Sequence, residues 1–233
     1  MKLQNAVVVI TGANRGIGRE FAQQLLKRGV KKIYGTSRDP RKVDLPGVTP
    51  IALDVTSEKD VAAAARIATD ATLVINNAGI ANFGGLVGAE REAVLRSHLE
   101  TNVFGALKVA SAFAPVLARN GGGAILNVAS VASWVSNPLL ANYAVSKSAL
   151  WAVSNGLRHE LRAQGTQVFT LHMGFVDTDM TSAVNMPKST PADIVQRALD
   201  GLEAGTEEIL ADEFTRQVKQ ALVAQPPIYV QPR

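Results

Sequence analysis

Tyr143 and Lys147 stand four residues apart in Tyr143-Ala144-Val145-Ser146-Lys147. On a helix that spacing places a phenol and an ammonium on one face, projecting into the same space. A free phenol titrates near about 10 and exchanges protons poorly at neutral pH, whereas a neighbouring ammonium stabilises phenolate and draws that value down. The pair is therefore a candidate general acid/base. By itself Tyr-x3-Lys is an ordinary exposed helical pair. What changes its meaning is Ser130, thirteen residues earlier at the end of the apolar run 124–129, with Asn76-Asn77-Ala78-Gly79 ending another such run. In an α/β sheet the carboxyl ends of strands line the ligand crevice, so these groups would share one edge.

A second constellation is Thr11-Gly12-Ala13-Asn14-Arg15-Gly16-Ile17-Gly18, directly after an apolar run and directly before a segment of helical period. Gly12, Gly16 and Gly18 let the backbone turn tightly and approach a pyrophosphate, while Asn14, Arg15 and Ile17 open the following helix, whose free N–H groups favour an anion. Glycine also simply punctuates strands and helices; the position between a first strand and a first helix is what favours a dinucleotide site. An acid about 20 residues further on would bind a ribose 2′-hydroxyl. Here that place holds Thr36-Ser37-Arg38 and no acid. Arg38 and Arg15, with Ser37 donating, suit a 2′-phosphate because guanidinium matches phosphate geometry. This favours NADP over NAD, although Asp39, one position later, keeps NAD open.

The elements that must position these groups follow from periodicity. Runs at 6–11, 32–36, 48–53, 72–75, 124–129, 167–172 and, more weakly, 208–211 are rich in Val, Ile and Thr and read as strands. Their apolar residues are continuous rather than alternating, which fits strands covered on both faces. Helical spacing predicts helices over 16–28, over 61–68 after a cap at Ser57, over 142–161, and over a last segment ending near Ala224. Segment 89–117 reads as one long helix, bent or ended near Pro115. Strands alternating with helices predict an α/β fold: a single-domain, Rossmann-like, doubly wound parallel sheet of about seven strands with helices on both faces, spanning 1–233. Segment 175–189 resists both periods and is expected to be a lid over the site.

Composition bounds the rest. Hydrophobic residues are 47% and charged residues 19%, which predicts a packed core and excludes wholesale disorder. Without cysteine there is no disulfide framework, thiolate metal site or cysteine nucleophile. No uninterrupted run of about 18 apolar residues exists. A start at Met1-Lys2-Leu3 followed closely by Asn5 and Ala6 does not resemble a secretory signal. A soluble cytoplasmic domain without membrane contact is expected. Residues 1–50 hold ten Lys and Arg against three acids, and the remainder fourteen against seventeen. Tyr34 is the one Tyr or Trp among those bases, so a nucleic-acid stacking platform is not expected; a small phosphorylated ligand is.

Taken in order, the turn at 11–18, Asp54-Val55, Asn76–Gly79, Thr101-Asn102, Ser130 and Tyr143/Lys147 resemble the short-chain dehydrogenase/reductase family over nearly the whole chain, in its NADP-preferring carbonyl reductase form. That resemblance implies that Asp54 contacts adenine and that Asn77, Ala78 and Gly79 run beside the adenosine ribose. It implies Tyr143 as general acid/base, Ser130 as the hydrogen-bond partner of the substrate oxygen, and Lys147 on the nicotinamide ribose, tuning Tyr143. Asn102 would complete a tetrad by holding a water in the proton relay. Gly174, Val176 and Thr178 match the segment that contacts nicotinamide. The implied activity is NADPH-dependent reduction of a ketone or aldehyde to an alcohol, by a homodimer or homotetramer. The alternative is a non-catalytic NADP(H)-binding redox sensor or scaffold, against which the intact tetrad argues. Met173-Gly174 stands where the family commonly has Pro-Gly, a change expected to loosen the entry to the lid. The segment after 210 also departs, leaving assembly open.

Other candidates carry less. Phe83, Trp134, Val135, Leu139, Leu140 and Met186 fall in segments expected at the crevice mouth and collectively suggest an apolar carbonyl substrate. His98, His159 and His172 lie on separate elements and read as surface or packing residues, so no metal is expected. Asp177 and Asp179 read as turn formers, Gly121-Gly122-Gly123 as a turn, and no G-x-S-x-G elbow surrounds Ser130.

Overall fold

The computed structural model describes residues 1–231. Seven strands form one parallel sheet: β1 (Val7–Thr11), β2 (Lys32–Ser37), β3 (Val48–Ala52), β4 (Leu73–Asn76), β5 (Ala124–Val128), β6 (Gln167–His172) and β7 (Glu208–Leu210). Their spatial order is β3-β2-β1-β4-β5-β6-β7, so the direction of winding reverses between β1 and β4. Register there pairs Val9 with Tyr34 on one side and with Val74 on the other. Ligands of doubly wound sheets bind at such a switch point, beyond the carboxyl ends of the strands.

Both faces of the sheet are apolar, which is why the strands read as continuous runs. Val8 and Ile10 of β1 pack with Phe21 and Leu25 of α1 (Gly16–Lys27) and with Ile194, Leu199 and Leu202 of α6 (Pro191–Ala204). Val7 and Val9 pack on the opposite side with Val61 of α2 (Glu58–Ile67), Val109 and Phe113 of α4 (Gly105–Arg119) and Leu157 of α5 (Ala141–Glu160). Alternate side chains of one strand thus feed two cores, each stabilised by burial at about 25 cal/mol per Å² of apolar surface.

The ends of the helices follow local chemistry. Ser57 caps α2 by accepting from Asp60 N–H at 3.3 Å, as its sequence position predicts. Helix α6 was not predicted, yet it carries a Thr190 cap, Pro191 in its first turn and Gly205 in the left-handed region beyond its end. The long helix over 89–117 also differs from expectation. It runs as α3 (Arg91–His98), a π-helical stretch over Leu99–Phe104, and then α4, which passes through Pro115 to Arg119. The irregularity is therefore at Asn102 rather than at Pro115. By length and composition this 29-residue run is also the one helix among the described residues that could cross a membrane. In the fold its Val109, Phe113 and Leu117 are fully buried against the sheet. Helix α7 (Glu213–Ala221) begins at an Asp212 cap and stops three residues before the predicted end.

Candidate active site

The carboxyl ends of the central strands open into one cavity of about 920 Å³ that runs from the glycine turn to Ser130, Tyr143 and Lys147. Asn14, Arg15, Gly16, Ile17, Ser37, Arg38, Asp54, Val55, Asn77, Ala78, Gly79, Gly174, Val176 and Thr178 all line it together with Gly12. Gly18 does not, and its role is steric. A Cβ there would lie 2.1 Å from the Gly12 carbonyl oxygen, so only glycine lets α1 start this close to the turn. Gly12 itself has φ +69°, where side chains are strained.

Two residues lock this end. Thr11 Oγ1 accepts from the N–H groups of Asn77 and Ala78, each at 3.0 Å, and Asn77 Nδ2 donates to the carbonyls of Thr11 (2.9 Å) and Gly12 (3.2 Å). The ends of β1 and β4 are thereby clamped across the switch point. Helix α1 has no side-chain cap and no acid in its first turn. Its first N–H groups and partial positive charge are left for an anion from the cavity, which fits the pyrophosphate of a dinucleotide.

Arg15, Ser37, Arg38 and Lys42 line the same end. Arg15 meets Asp179 at 3.1 Å, but both side chains are about 70% exposed or more and the pair contributes little. Asp39, the acid that kept NAD open, also lines the cavity but is paired with Arg41. Its carboxylate accepts from Arg41 Nε at 2.9 Å, Arg41 Nη2 at 3.1 Å and Arg41 N–H at 3.2 Å, and the Arg41 guanidinium holds it below the usual carboxylate range. Asp54 is likewise held low by the N–H and hydroxyl of Thr56.

At the other end Ser130 follows β5 and caps a short turn, its Oγ accepting from Ala132 N–H at 3.1 Å and donating to the Met173 carbonyl at 3.4 Å. Tyr143 and Lys147 lie one turn apart near the start of α5, with Nζ 5.5 Å from the phenol ring centroid. The expected lowering of the tyrosine does not occur. Burial pushes Tyr143 up to about 12, partly offset by the hydrogen bond with Ser130, and pushes Lys147 down to about 8. Desolvation acts on both charged forms, and the lysine points a proton at the Val128 carbonyl (2.7 Å) rather than at the phenol.

Asn102 is engaged by the protein through its side chain. Its Oδ1 accepts from Ile80 N–H at 2.8 Å, while Nδ2 donates to the Ile80 carbonyl and to Ser146 Oγ, both at 2.9 Å. The side chain is buried with both N–H donors used. It ties the π-helical stretch to the segment after β4 and to α5.

Of the six residues expected on the substrate wall, Phe83 and Leu140 line the cavity. Trp134 turns inward to stack on His172, with ring centroids 4.1 Å apart, and Val135 is buried. Leu139 and Met186 are 68% and 60% exposed, outside the cavity lining. The apolar wall comes instead from Phe175, Met180 and Phe214. Nor is the lid entry loose without its proline. Met173 accepts from Val131 N–H at 2.9 Å, and Gly174 N–H donates to the Asp212 carboxylate at 2.7 Å. Segment 175–189 closes on itself through a parallel bridge between Val176 and Ser189. Of the surface or packing roles expected for the histidines, His98 and His172 take the buried one, and among the described residues no three His, Asp or Glu come together as a metal site.

Residues 6–189 match the family model of the short chain dehydrogenases. The 3-oxoacyl-[acyl-carrier-protein] reductase FabG of Vibrio cholerae is 32% identical over 82% of this chain and 81% of its own. The oxidoreductase YbbO of Escherichia coli K12 is 33% identical over 81% of this chain and 72% of its own. A short chain dehydrogenase from Burkholderia cenocepacia, solved in complex with NADP, superposes with a TM-score of 0.93 at 35% identity, over 97% of this chain and 96% of its own.

Proposed function

The chain belongs to the short-chain dehydrogenase/reductase family of oxidoreductases, and from that premise we propose that it reduces a ketone or aldehyde to an alcohol with NADPH. The observation that carries this reading is the single cavity joining an anion-binding helix start to Ser130, Tyr143 and Lys147. NADP is favoured over NAD because Arg15, Arg38 and Lys42 line the end where a 2′-phosphate would sit, while Asp39 is held by Arg41. The similar Burkholderia cenocepacia protein, bound to NADP, supports the same choice.

When bound, NADPH supplies the hydride. The protein supplies position and the proton. Ser130 Oγ hydrogen-bonds the carbonyl oxygen and stabilises it as negative charge grows there. Tyr143 gives its proton to that oxygen; a phenol held up at about 12 is protonated throughout the neutral range, the form a reduction requires. Lys147 holds the nicotinamide ribose. Because the Asn102 side chain is fully engaged, the water that resupplies the proton would rest on main-chain oxygen in its π-helical stretch. Phe83, Leu140, Phe175, Met180 and Phe214 exclude water and favour an apolar substrate. The relative named for reducing a 3-oxoacyl group is consistent with a carbonyl acceptor. We further propose a homo-oligomer in solution, with segment 175–189 closing as the lid.

The test is initial-rate absorbance at the nicotinamide band, with NADPH and NADH in parallel against aliphatic, aromatic and keto-ester carbonyls. Turnover favouring NADPH is expected. Binding of NADPH by calorimetry with no turnover on any carbonyl would overturn the reductase reading in favour of a sensor.

A further inference from the structure

His172 has no part in the chemistry above, yet it is the fully buried last residue of β6 and its Nδ1 lies 2.9 Å from the Ser130 carbonyl oxygen. A carbonyl only accepts, so Nδ1 carries the proton and a neutral ring leaves Nε2 bare. Burial pushes the imidazolium down to about 4, which keeps the ring neutral. Nε2 has no hydrogen-bond partner and faces Glu208 Oε1 at 4.0 Å. That carboxylate is taken up by Lys219, whose Nζ lies 3.0 Å and 2.9 Å from its two oxygens. Lys219 also sits 4.5 Å from the centroid of Trp134, and Trp134 stacks on the imidazole with 22° between the planes. One orientation of the ring is thus held from above and from the side.

A buried histidine is usually a packing residue. Here its single hydrogen bond falls on the Ser130 carbonyl, which the sheet does not pair and which otherwise accepts only from Ser133 N–H, at 3.0 Å, in the short turn that follows. Ala129 N–H and Val131 N–H donate to the carbonyls of Leu171 and Met173, each at 2.9 Å, pinning the chain on both sides of Ser130 to β6. Between them, Ser130 is extended at φ −172° and ψ 163°, and its own carbonyl receives the imidazole proton. Four contacts therefore fix the peptide planes from which Ser130 Oγ projects into the cavity, and the imidazole is the one that ties the Ser130 carbonyl to β6.

We propose that His172 is a positioning residue for Ser130, its ring held in turn by Trp134, Glu208 and Lys219. The proposal rests on the reading that Ser130 meets the substrate oxygen. His172→Phe keeps the stack on Trp134 and removes the bond. In folded protein we expect kcat to fall by about 10- to 100-fold, the scale of a small misplacement in an active site, with NADPH affinity by calorimetry unchanged. His172→Asn, whose Nδ2 also hangs from Cγ, should restore most of kcat, which a purely packing role would not. Because His172 acts through Ser130, adding His172→Phe to Ser130→Ala should cost little more than Ser130→Ala alone. Full kcat in His172→Phe, or losses that multiply in the double variant, would overturn the proposal while leaving Ser130 in place. Full turnover in Ser130→Ala would instead overturn the reading of Ser130. Should His172→Phe fail to fold, long-range 15N–1H spectra of the unaltered protein decide: a proton on Nδ1 is expected, and a proton on Nε2 alone would overturn the assignment.

Discussion

Gly18→Ala probes whether the glycine turn is built by steric necessity. An added Cβ would stand 2.1 Å from the Gly12 carbonyl oxygen and 2.5 Å from Asn77 Nδ2. Carbon contacts settle at roughly 3.5–4.0 Å, so the start of α1 and the turn must part by more than about 1 Å. Overpacking of that kind costs about 1–3 kcal/mol. The movement also disturbs the two bonds that Asn77 Nδ2 makes to Thr11 and Gly12, each a net contribution of about 0.5–1.5 kcal/mol. The expected loss is about 2–6 kcal/mol, or about 4–24 °C in Tm for a chain of this length. On the proposed function, NADPH affinity by calorimetry should fall at least about tenfold, since the pyrophosphate would sit against the displaced backbone. Gly156→Ala is the internal control. It lies mid-helix in α5 with nothing within 4 Å of its Cβ position and no positive φ, so it should stabilise by about 0.5–1 kcal/mol. A Gly18→Ala protein with unchanged Tm and unchanged NADPH affinity would refute the steric reasoning.

Three further perturbations address the two ends of the cavity. Arg38→Asp should weaken NADPH far more than NADH, measured by calorimetry with both cofactors; unchanged discrimination there, and in Arg15→Ala, would remove the phosphate clamp. The Lys147 ammonium is pushed from 10.5 to about 8 in the folded protein, so between those values the unfolded chain binds more protons and stability rises with pH. Without cofactor, urea unfolding should show a gain of up to about 3 kcal/mol as pH climbs from 8 toward 10. Lys147→Met should lack that gain, and a flat profile in the unaltered protein would contradict the burial effect. Tyr143, raised to about 12 from 10.0, acts with the opposite sign: stability should fall again above pH 10, and Tyr143→Phe should abolish that fall.

The parallel sheet was legible because its strands are buried on both faces. Val7 through Thr11 are all buried, and such a run has no polar face to confuse the period. Strand ends differ by a residue in places, as in β4, expected over 72–75 and found over Leu73–Asn76, where the polar Asn76 closes the strand. Helix α6 was missed although Thr190, Pro191, Asp193 and Gly205 are its punctuation. The start of the helix directly follows the irregular segment 175–189, and no long apolar run marks it. The π-helical stretch around Asn102 has no sequence signature of its own, and the engagement of the Asn102 amide by Ile80 and Ser146 is a tertiary fact. That Ser130, Tyr143 and Lys147 meet in one cavity was readable from their spacing, whereas the apolar lining was not. Trp134 lies only four residues from Ser130 yet faces His172, while Phe214, far along the chain, reaches the cavity because Asp212 ties α7 to Gly174. Proximity in sequence does not determine which way a loop side chain points.

The measurement that tests the central claim most directly is Tyr143→Phe, assayed for NADPH binding by calorimetry and for carbonyl reduction by initial rates in the same preparation. The variant removes one oxygen from a ring that lines the cavity and leaves the glycine turn and the basic rim intact. Unchanged NADPH affinity with turnover lost by several orders of magnitude is the expected result. Turnover comparable to that of the unaltered protein would contradict the account, because the proton would then have to come from a group other than Tyr143.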